Sequence, residues 1–222
     1  MIELDRDGDV FVLRLTKDDN RFNTDSLAAW SEALDEVERA GPPAALVTTG
    51  NGKFYSNGLD LDWMGEQEPD VASGMVRDTI RLFGRILALP VFTVAAVNGH
   101  AFAAGAMLTL AHDVRVMRAD RGFFCLPEID LGMPLAPGMT AIVKARLPGA
   151  VAHEAVVTGR RYGGEDAARL GIVAEAVAED DVLPRAIELA AAQAGRAGSN
   201  LAVLKRGLYG DVLPVLEEGA LR

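Results

Sequence analysis

The residue best suited to chemistry is Glu128, an ionisable side chain set in the apolar run Phe123-Phe124-Cys125-Leu126-Pro127-Glu128-Ile129. Apolar surroundings disfavour a charged carboxylate and raise its pKa, which suits a group that must take up and return a proton near neutral pH. Upstream, Asn98-Gly99 turns the chain out of a β-branched run at 91–97. Ala101, Ala103, Ala104, Gly105 and Ala106 then leave almost no side chain around the backbone. A strand-to-helix turn of this composition either packs closely or points free amides at a ligand. The first N–H groups of a helix lack internal partners and favour negative charge, so a developing oxyanion fits the second reading. A second loop, 50–60, carries Gly50, Gly52 and Gly58 and is a candidate for close approach of a ligand.

Other chemistries find no support. The chain contains neither GxGxxG after its first strand nor GxxxxGK[ST], so the dinucleotide and phosphate-loop motifs do not apply. His100, His112 and His153 lack metal-ligand spacing, and Cys125 has no second cysteine with which to build a zinc site or a disulfide. His112 and His153 read as structural. Cys125, among bulky apolar neighbours, reads as a buried thiol, and Ser56 lies in no GxSxG elbow.

The elements that must position these groups follow from periodicity and turn chemistry. Residues 2–5 and 10–15 flank Asp7-Gly8 as a hairpin. Asn23 or Thr24 caps a helix to about 39, with Leu27, Trp30, Leu34 and Val37 on one face, and Gly41-Pro42-Pro43 ends it. Residues 44–48 and 91–97 are strands, 70–89 a long helix, and 101–111 a turn leading into a buried helix. Further helices are expected at 139–147, 153–158 and 165–170, a last strand at 172–177, and helices at 183–193, 201–208 and 212–221. Strands alternating with helices, followed by a helical tail, predict an α/β fold with mainly parallel pairing.

The chain is long enough for one sizeable core, and its single cysteine fits a reducing compartment. With 22 Lys plus Arg against 32 Asp plus Glu, the net charge of −10 argues against nucleic-acid or anionic-membrane partners. The charged start MIELDRDGDVF has no apolar signal core, and no apolar run reaches the span of a bilayer. A soluble, cytoplasmic protein is expected.

In order along the chain, Phe54-Tyr55-Ser56-Asn57-Gly58-Leu59-Asp60-Leu61, Asn98-Gly99-His100-Ala101-Phe102-Ala103-Ala104-Gly105, His112-Asp113-Val114-Arg115 and Leu126-Pro127-Glu128-Ile129-Asp130-Leu131-Gly132 together resemble the crotonase, or enoyl-CoA hydratase/isomerase, superfamily. Within it, Met117-Arg118-Ala119-Asp120-Arg121-Gly122-Phe123 looks most like the Δ3,Δ2-enoyl-CoA isomerases of plant peroxisomes. The resemblance implies a crotonase-like spiral of ββα turns over 1–165, acting as acyl-CoA-binding and catalytic core. It implies a mainly helical oligomerisation part over 166–222, and a homotrimer or dimer of trimers. It implies acyl-CoA thioester substrates, with CoA part of the substrate and no metal or other cofactor.

Carried over by position, the backbone N–H groups of Leu59 and Ala104 would form an oxyanion hole, with Glu128 as the catalytic carboxylate. Arg21, Lys53, Ser56, Asn57, Gly58, Asp60, Gly105 and Met107 would contribute to substrate and CoA binding. Lys205 and Arg206 are weaker candidates for a CoA phosphate. Hydratases of the family carry a second glutamate where this chain has Met107, and that departure favours double-bond migration by one carboxylate over water addition. Met107 and the helix at 70–89 would line an acyl pocket. The same scaffold also supports hydration, thioester hydrolysis, decarboxylation, dehalogenation through an inward-turned Asp60 or Asp130, or acyl-CoA binding without catalysis.

Overall fold

Three successive stretches of chain follow one path: a strand in a large sheet, a short strand in a small sheet, then a helix. The computed structural model describes residues 2–221. The hairpin is β1 (Ile2–Asp7) and β2 (Val10–Leu15), antiparallel, followed by α1 (Thr24–Arg39). The repeated path then runs β3 (Ala45–Thr49), β4 (Phe54–Ser56), α2 (Leu61–Gly65) and α3 (Pro69–Ala88). Its second turn is β5 (Phe92–Val97), β6 (His100–Phe102) and α4 (Ala104–Leu110). The third is β7 (Val114–Arg118), β8 (Phe124–Cys125) and α5 (Glu128–Leu131). After these come α6 (Pro137–Arg146), α7 (Gly149–Thr158), α8 (Gly164–Arg169), β9 (Glu175–Val177), α9 (Val182–Ala191), α10 (Ser199–Leu208) and α11 (Leu213–Glu218).

The large sheet has the order β1-β2-β3-β5-β7-β9 and the small one β4-β6-β8, with every pair parallel except the opening hairpin. Alternation along the strands decides which face each side chain covers. Phe11, Leu13, Leu46, Ala95 and Val97 join the main core with α1, α3, α4 and α6, while Val12, Val47, Val94 and Val116 meet Val182, Ala186 and Ala190 of α9 on the other face. Residues beyond 165 therefore close the second face of the large sheet.

Several elements differ from the expectations drawn from sequence. The strand at 114–118 is not among them, because VRVMR places two arginines in what proves to be an inner strand. Both are buried and satisfied: Arg115 donates to Ile172 O at 2.6 Å, and Arg118 pairs with Asp120 at 2.7 Å and with Glu179. The loop at 50–60 contains β4, and β6 and β8 are strands of two or three residues, too short for periodicity to show. The last strand shrinks from 172–177 to Glu175–Val177, since the N–H groups of Ile172 and Val173 turn back to Ala167 O. Helix α2, not expected from the sequence, follows directly on the 50–60 loop, whose last residue, Asp60, caps it by accepting from Trp63 N at 3.3 Å.

Candidate active site

The small sheet brings together the ends of three segments distant in sequence. After β4, the turn Asn57-Gly58-Leu59-Asp60 is clamped by Phe22, whose N–H donates to Gly58 O at 2.8 Å and whose carbonyl accepts from Asp60 N at 2.9 Å. Between those two bonds, Leu59 N–H has no acceptor among the described residues. Gly58 sits at φ +84, and a Cβ there would stand 3.0 Å from Phe102 O and 3.2 Å from Ala104 N, so glycine is required both by backbone and by space. Ser56 holds the turn from below: its hydroxyl donates to Asn20 O at 2.7 Å and accepts from Gly58 N at 3.3 Å.

After β6, Ala103 adopts φ 50, ψ −124, a left-handed conformation rare for a residue with a Cβ. Its N–H is fixed on Cys125 O at 3.0 Å, and the bend starts α4 with the Ala104 N–H likewise free of any intramolecular acceptor among the described residues. Gly105 lets α4 seat on β4, since a Cβ there would lie 2.3 Å from Ser56 O. After β8, which is locked to Tyr162 by two 2.9 Å backbone bonds, Pro127 leads into α5 with Glu128 as its first residue.

These ends line one cavity of about 360 Å³. Leu59, Ala104 and Glu128 are on its wall together with Phe102, Leu131 and Met139. One carboxylate oxygen of Glu128, Oε2, is buried without a hydrogen-bond partner, and burial pushes its pKa above the ordinary glutamate value, opposed only by its own backbone N–H. The other acid on the wall, Asp62, is exposed and paired with Arg21 at 2.8 Å. A carboxylate with one unpartnered oxygen and two residues with unpartnered amides, all lining one cavity, can move a proton next to a carbonyl whose oxygen the amides hold.

The sequence profile of the enoyl-CoA hydratase/isomerase family matches residues 6–219. The chain belongs to that family. Enoyl-CoA delta isomerase 3 of Arabidopsis thaliana is 34% identical over 227 residues, covering 98% of this chain and 95% of the relative. The peroxisomal enoyl-CoA delta isomerase 2 of the same plant is 34% identical, covering 97% and 95%. Among solved structures, a probable enoyl-CoA hydratase from Mycobacterium tuberculosis H37Rv superposes with TM-score 0.91 at 29% identity, covering 98% of this chain and 92% of that one. Another structure of that mycobacterial protein, with the same TM-score of 0.91, is described as an apo enoyl-CoA isomerase. The fold is thus the crotonase fold, and the repeated strand-strand-helix path is its spiral.

Of the positions singled out from sequence, the crotonase cavity brings together Glu128, Leu59, Ala104, Arg21 and Asn57. Arg21 meets Asp19 at 3.0 Å and Asp60 at 3.7 Å besides Asp62, so three carboxylates surround it. Ser56, Gly58, Asp60 and Gly105 lie outside the lining and shape the loops that carry it. The Asp60 carboxylate is engaged by Trp63 N, Arg21 and Asn23, and Asp130 is likewise off the lining. Lys53 is exposed, its ammonium 5.2 Å from the centre of the Phe54 ring, and also off the lining.

Met107 is fully buried in the core rather than on the cavity wall. Met75, Ile80, Phe83 and Leu87 of α3 are core residues too, so the expected acyl wall is not where the cavity runs. Lys205, a candidate for a phosphate, instead is buried and binds Asp113 at 2.6 Å and Val91 O at 2.9 Å, while Arg206 pairs with Glu217 at 2.7 Å. The lining residues missed from sequence include Leu61, Asp62 and Phe102, and, in the stretch after Glu128, Leu131, Met133, Pro134 and Met139. The signal for that stretch was an apolar loop after the Pro-Glu pair, with Leu131 and Met133 too apolar for a surface turn.

Proposed function

We propose that this chain is a Δ3,Δ2-enoyl-CoA isomerase. The thioester oxygen of a 3-enoyl-CoA sits on the Leu59 and Ala104 amides, and Glu128 removes a proton from C2. The electron pair is shared among the oxygen, C2 and C4 of the resulting dienolate, and Glu128 returns the proton to C4, moving the double bond from between C3 and C4 to between C2 and C3. Each well-placed oxyanion donor contributes about 10²- to 10³-fold in rate. Asn57 and Arg21 border the thioester arm, and Lys53, exposed and off the lining, is a cation that can meet a CoA phosphate.

The observation that carries this reading is that the cavity offers one acid free to work. Adding water needs a base for the water and an acid for the α-carbon, whereas Asp62 is tied to Arg21 and Met107 occupies the position at which the resemblance places the hydratase's second glutamate. The kinship with plant delta isomerases points the same way. A panel of 3-enoyl-CoA and 2-enoyl-CoA thioesters with product identification tests it: isomerisation without appreciable hydration is expected, and fast hydration of 2-enoyl-CoA with slow isomerisation overturns it.

A further inference from the structure

Among the described residues, two that carry a Cβ have positive φ, Asn20 and Ala103, both at φ 50. Ala103 sets the Ala104 amide at the start of α4. Asn20 lies off the cavity wall, yet its segment holds the turn that carries the other amide. Asn57 N–H donates to Asp19 O and Asp60 N–H to Phe22 O, both at 2.9 Å. Gly58 N–H donates to the Ser56 hydroxyl at 3.3 Å, and that hydroxyl donates to Asn20 O at 2.7 Å. Residues 19–22 thus engage every N–H of 57–60 except that of Leu59, directly or through Ser56. The Asn20 side chain reaches β4 as well: Nδ2 donates to Phe54 O at 3.0 Å and to Tyr55 O at 3.2 Å, fastening two consecutive carbonyls just before the turn. That side chain is buried, and its Oδ1 has no partner. A left-handed backbone and an orphaned buried oxygen both cost free energy. Glycine would adopt φ 50 without steric cost, so the backbone alone does not call for asparagine.

We propose that Asn20 is a positioning residue for the Leu59 amide, holding β4 and the turn after it through Phe54 O, Tyr55 O and the Ser56 hydroxyl. The inference rests on the reading of Leu59 N–H as a donor to the thioester oxygen, and not on which acyl-CoA reaction follows. An oxyanion donor is effective when its N–H already points to where charge develops, and a misplacement of about 1 Å can cost as much as 10²-fold in rate. Phe22 clamps the turn itself, at Gly58 O and Asp60 N. Asn20 fixes the strand that feeds it, so the two together leave the Leu59 N–H one direction.

The test separates the side chain from the backbone it sits on. Asn20→Gly keeps φ 50 accessible and removes both bonds to β4, whereas Ser56→Ala leaves residue 20 in place and cuts its link to Gly58 N. Both are compared with wild type in urea midpoint, in kinetics on 3-enoyl-CoA, and in the ionisation of bound acetoacetyl-CoA. The enolate of that ligand absorbs in the near ultraviolet and puts negative charge on the thioester oxygen without turnover. Asn20→Gly should lower kcat about tenfold with KM little changed, the pattern of an interaction made in the transition state. It should also raise the pH at which bound acetoacetyl-CoA ionises by about one unit, the same tenfold. Ser56→Ala should move both quantities in the same direction, and the double variant should lose less than the product of the two single losses. A structural role alone would lower the urea midpoint and leave the ionisation of the bound ligand unchanged. That result in folded Asn20→Gly overturns the inference, and if Asn20→Gly does not fold, the same result in Ser56→Ala overturns it. A wild type in which bound acetoacetyl-CoA ionises no more readily than in water removes the oxyanion reading and the inference with it. The ionisation shift in a protein that turns over no 3-enoyl-CoA overturns the isomerase reading alone and supports the role of Asn20.

Discussion

The behaviour of Glu128 follows from its isolation. A carboxylate with one buried, unpartnered oxygen holds its proton to higher pH than a free glutamate, so the acid limb of kcat/KM should lie above the ordinary carboxylate range. Glu128→Gln keeps the shape and cannot accept a proton. Isomerisation should fall about 10²- to 10⁴-fold while acyl-CoA affinity stays similar. The same substitution should stabilise the fold. With the folded-state pKa raised, the penalty for the charged form is absent below the unfolded value of 4.5 and sets in as pH rises through and beyond it. Melting curves should therefore show Glu128→Gln above wild type at pH 8, with the gap closing toward pH 4. Wild-type activity in the variant would place the proton transfer elsewhere. Glu128 is legible in sequence because a carboxylate inside an apolar run costs free energy to desolvate, a cost that folding alone gives no reason to bear. Lys205 is not, because the Asp113 that neutralises it is 92 residues away and a lysine near the end of a chain looks like solvated charge.

The oxyanion turn depends on how α4 is held. From its C-terminal end a hydrogen-bond chain crosses the core: Leu108 O accepts from His112 Nδ1 at 2.9 Å, which makes His112 Nε2 the acceptor for Thr48 Oγ1, also at 2.9 Å. Thr48 in turn receives the Tyr55 hydroxyl at 2.7 Å. One neutral imidazole thus ties α4 to β3 and β4. Burial drives its pKa down to about 3, so between pH 6.5 and 3 the unfolded chain binds a proton that the folded one refuses. Stability owed to His112 is full above 6.5 and is lost at about 1.4 kcal/mol per pH unit below it. His112→Gln keeps a donor and an acceptor without titrating, and denaturant midpoints from pH 7 to 4 should fall less steeply than in wild type. Parallel slopes would show that the imidazole does not set the acid sensitivity of the fold.

At the other end of α4, Ala104 acts through its backbone. Ala104→Gly should retain most activity, whereas Ala104→Pro, which deletes the N–H at a helix position that tolerates proline, should lose about 10²-fold or more. Equal losses in two folded variants would sink the amide assignment. The turn itself can be read from its small residues, but the strands bracketing it cannot. Runs such as Phe124–Cys125 and His100–Phe102 have no period to detect, and β7 is disguised by arginines whose partners come from other elements.

The carboxyl-terminal helices have two faces with different tasks. Inward, α9 covers the large sheet and Lys205 of α10 reaches Val91 O and Asp113, fastening α10 to the start of β5 and the turn before β7. Outward, α10 leaves Val203, Leu204 and Leu208 exposed by 66%, 62% and 75%, with Leu204 and Leu208 one helical turn apart. Sequence alone divides this region into apolar and charged positions but not into inner and outer ones. Lys205 inside and Leu208 outside reverse the usual preference, and only the long-range pairing with Asp113 sets which way the helix turns. An apolar stripe on a helix docked by its opposite side is suited to a second copy of the chain, and a trimer built through these helices is the assembly we propose. Leu204→Asp and Leu208→Asp replace side chains that touch little within one chain, so folding stability should change by no more than about 0.5 kcal/mol. Charges at the centre of an interface between copies should dissociate it. Sedimentation velocity at micromolar concentration should find wild type trimeric and the Leu204→Asp/Leu208→Asp protein monomeric, with unchanged far-UV circular dichroism. A wild-type monomer, or a doubly substituted trimer, would move the interface off α10.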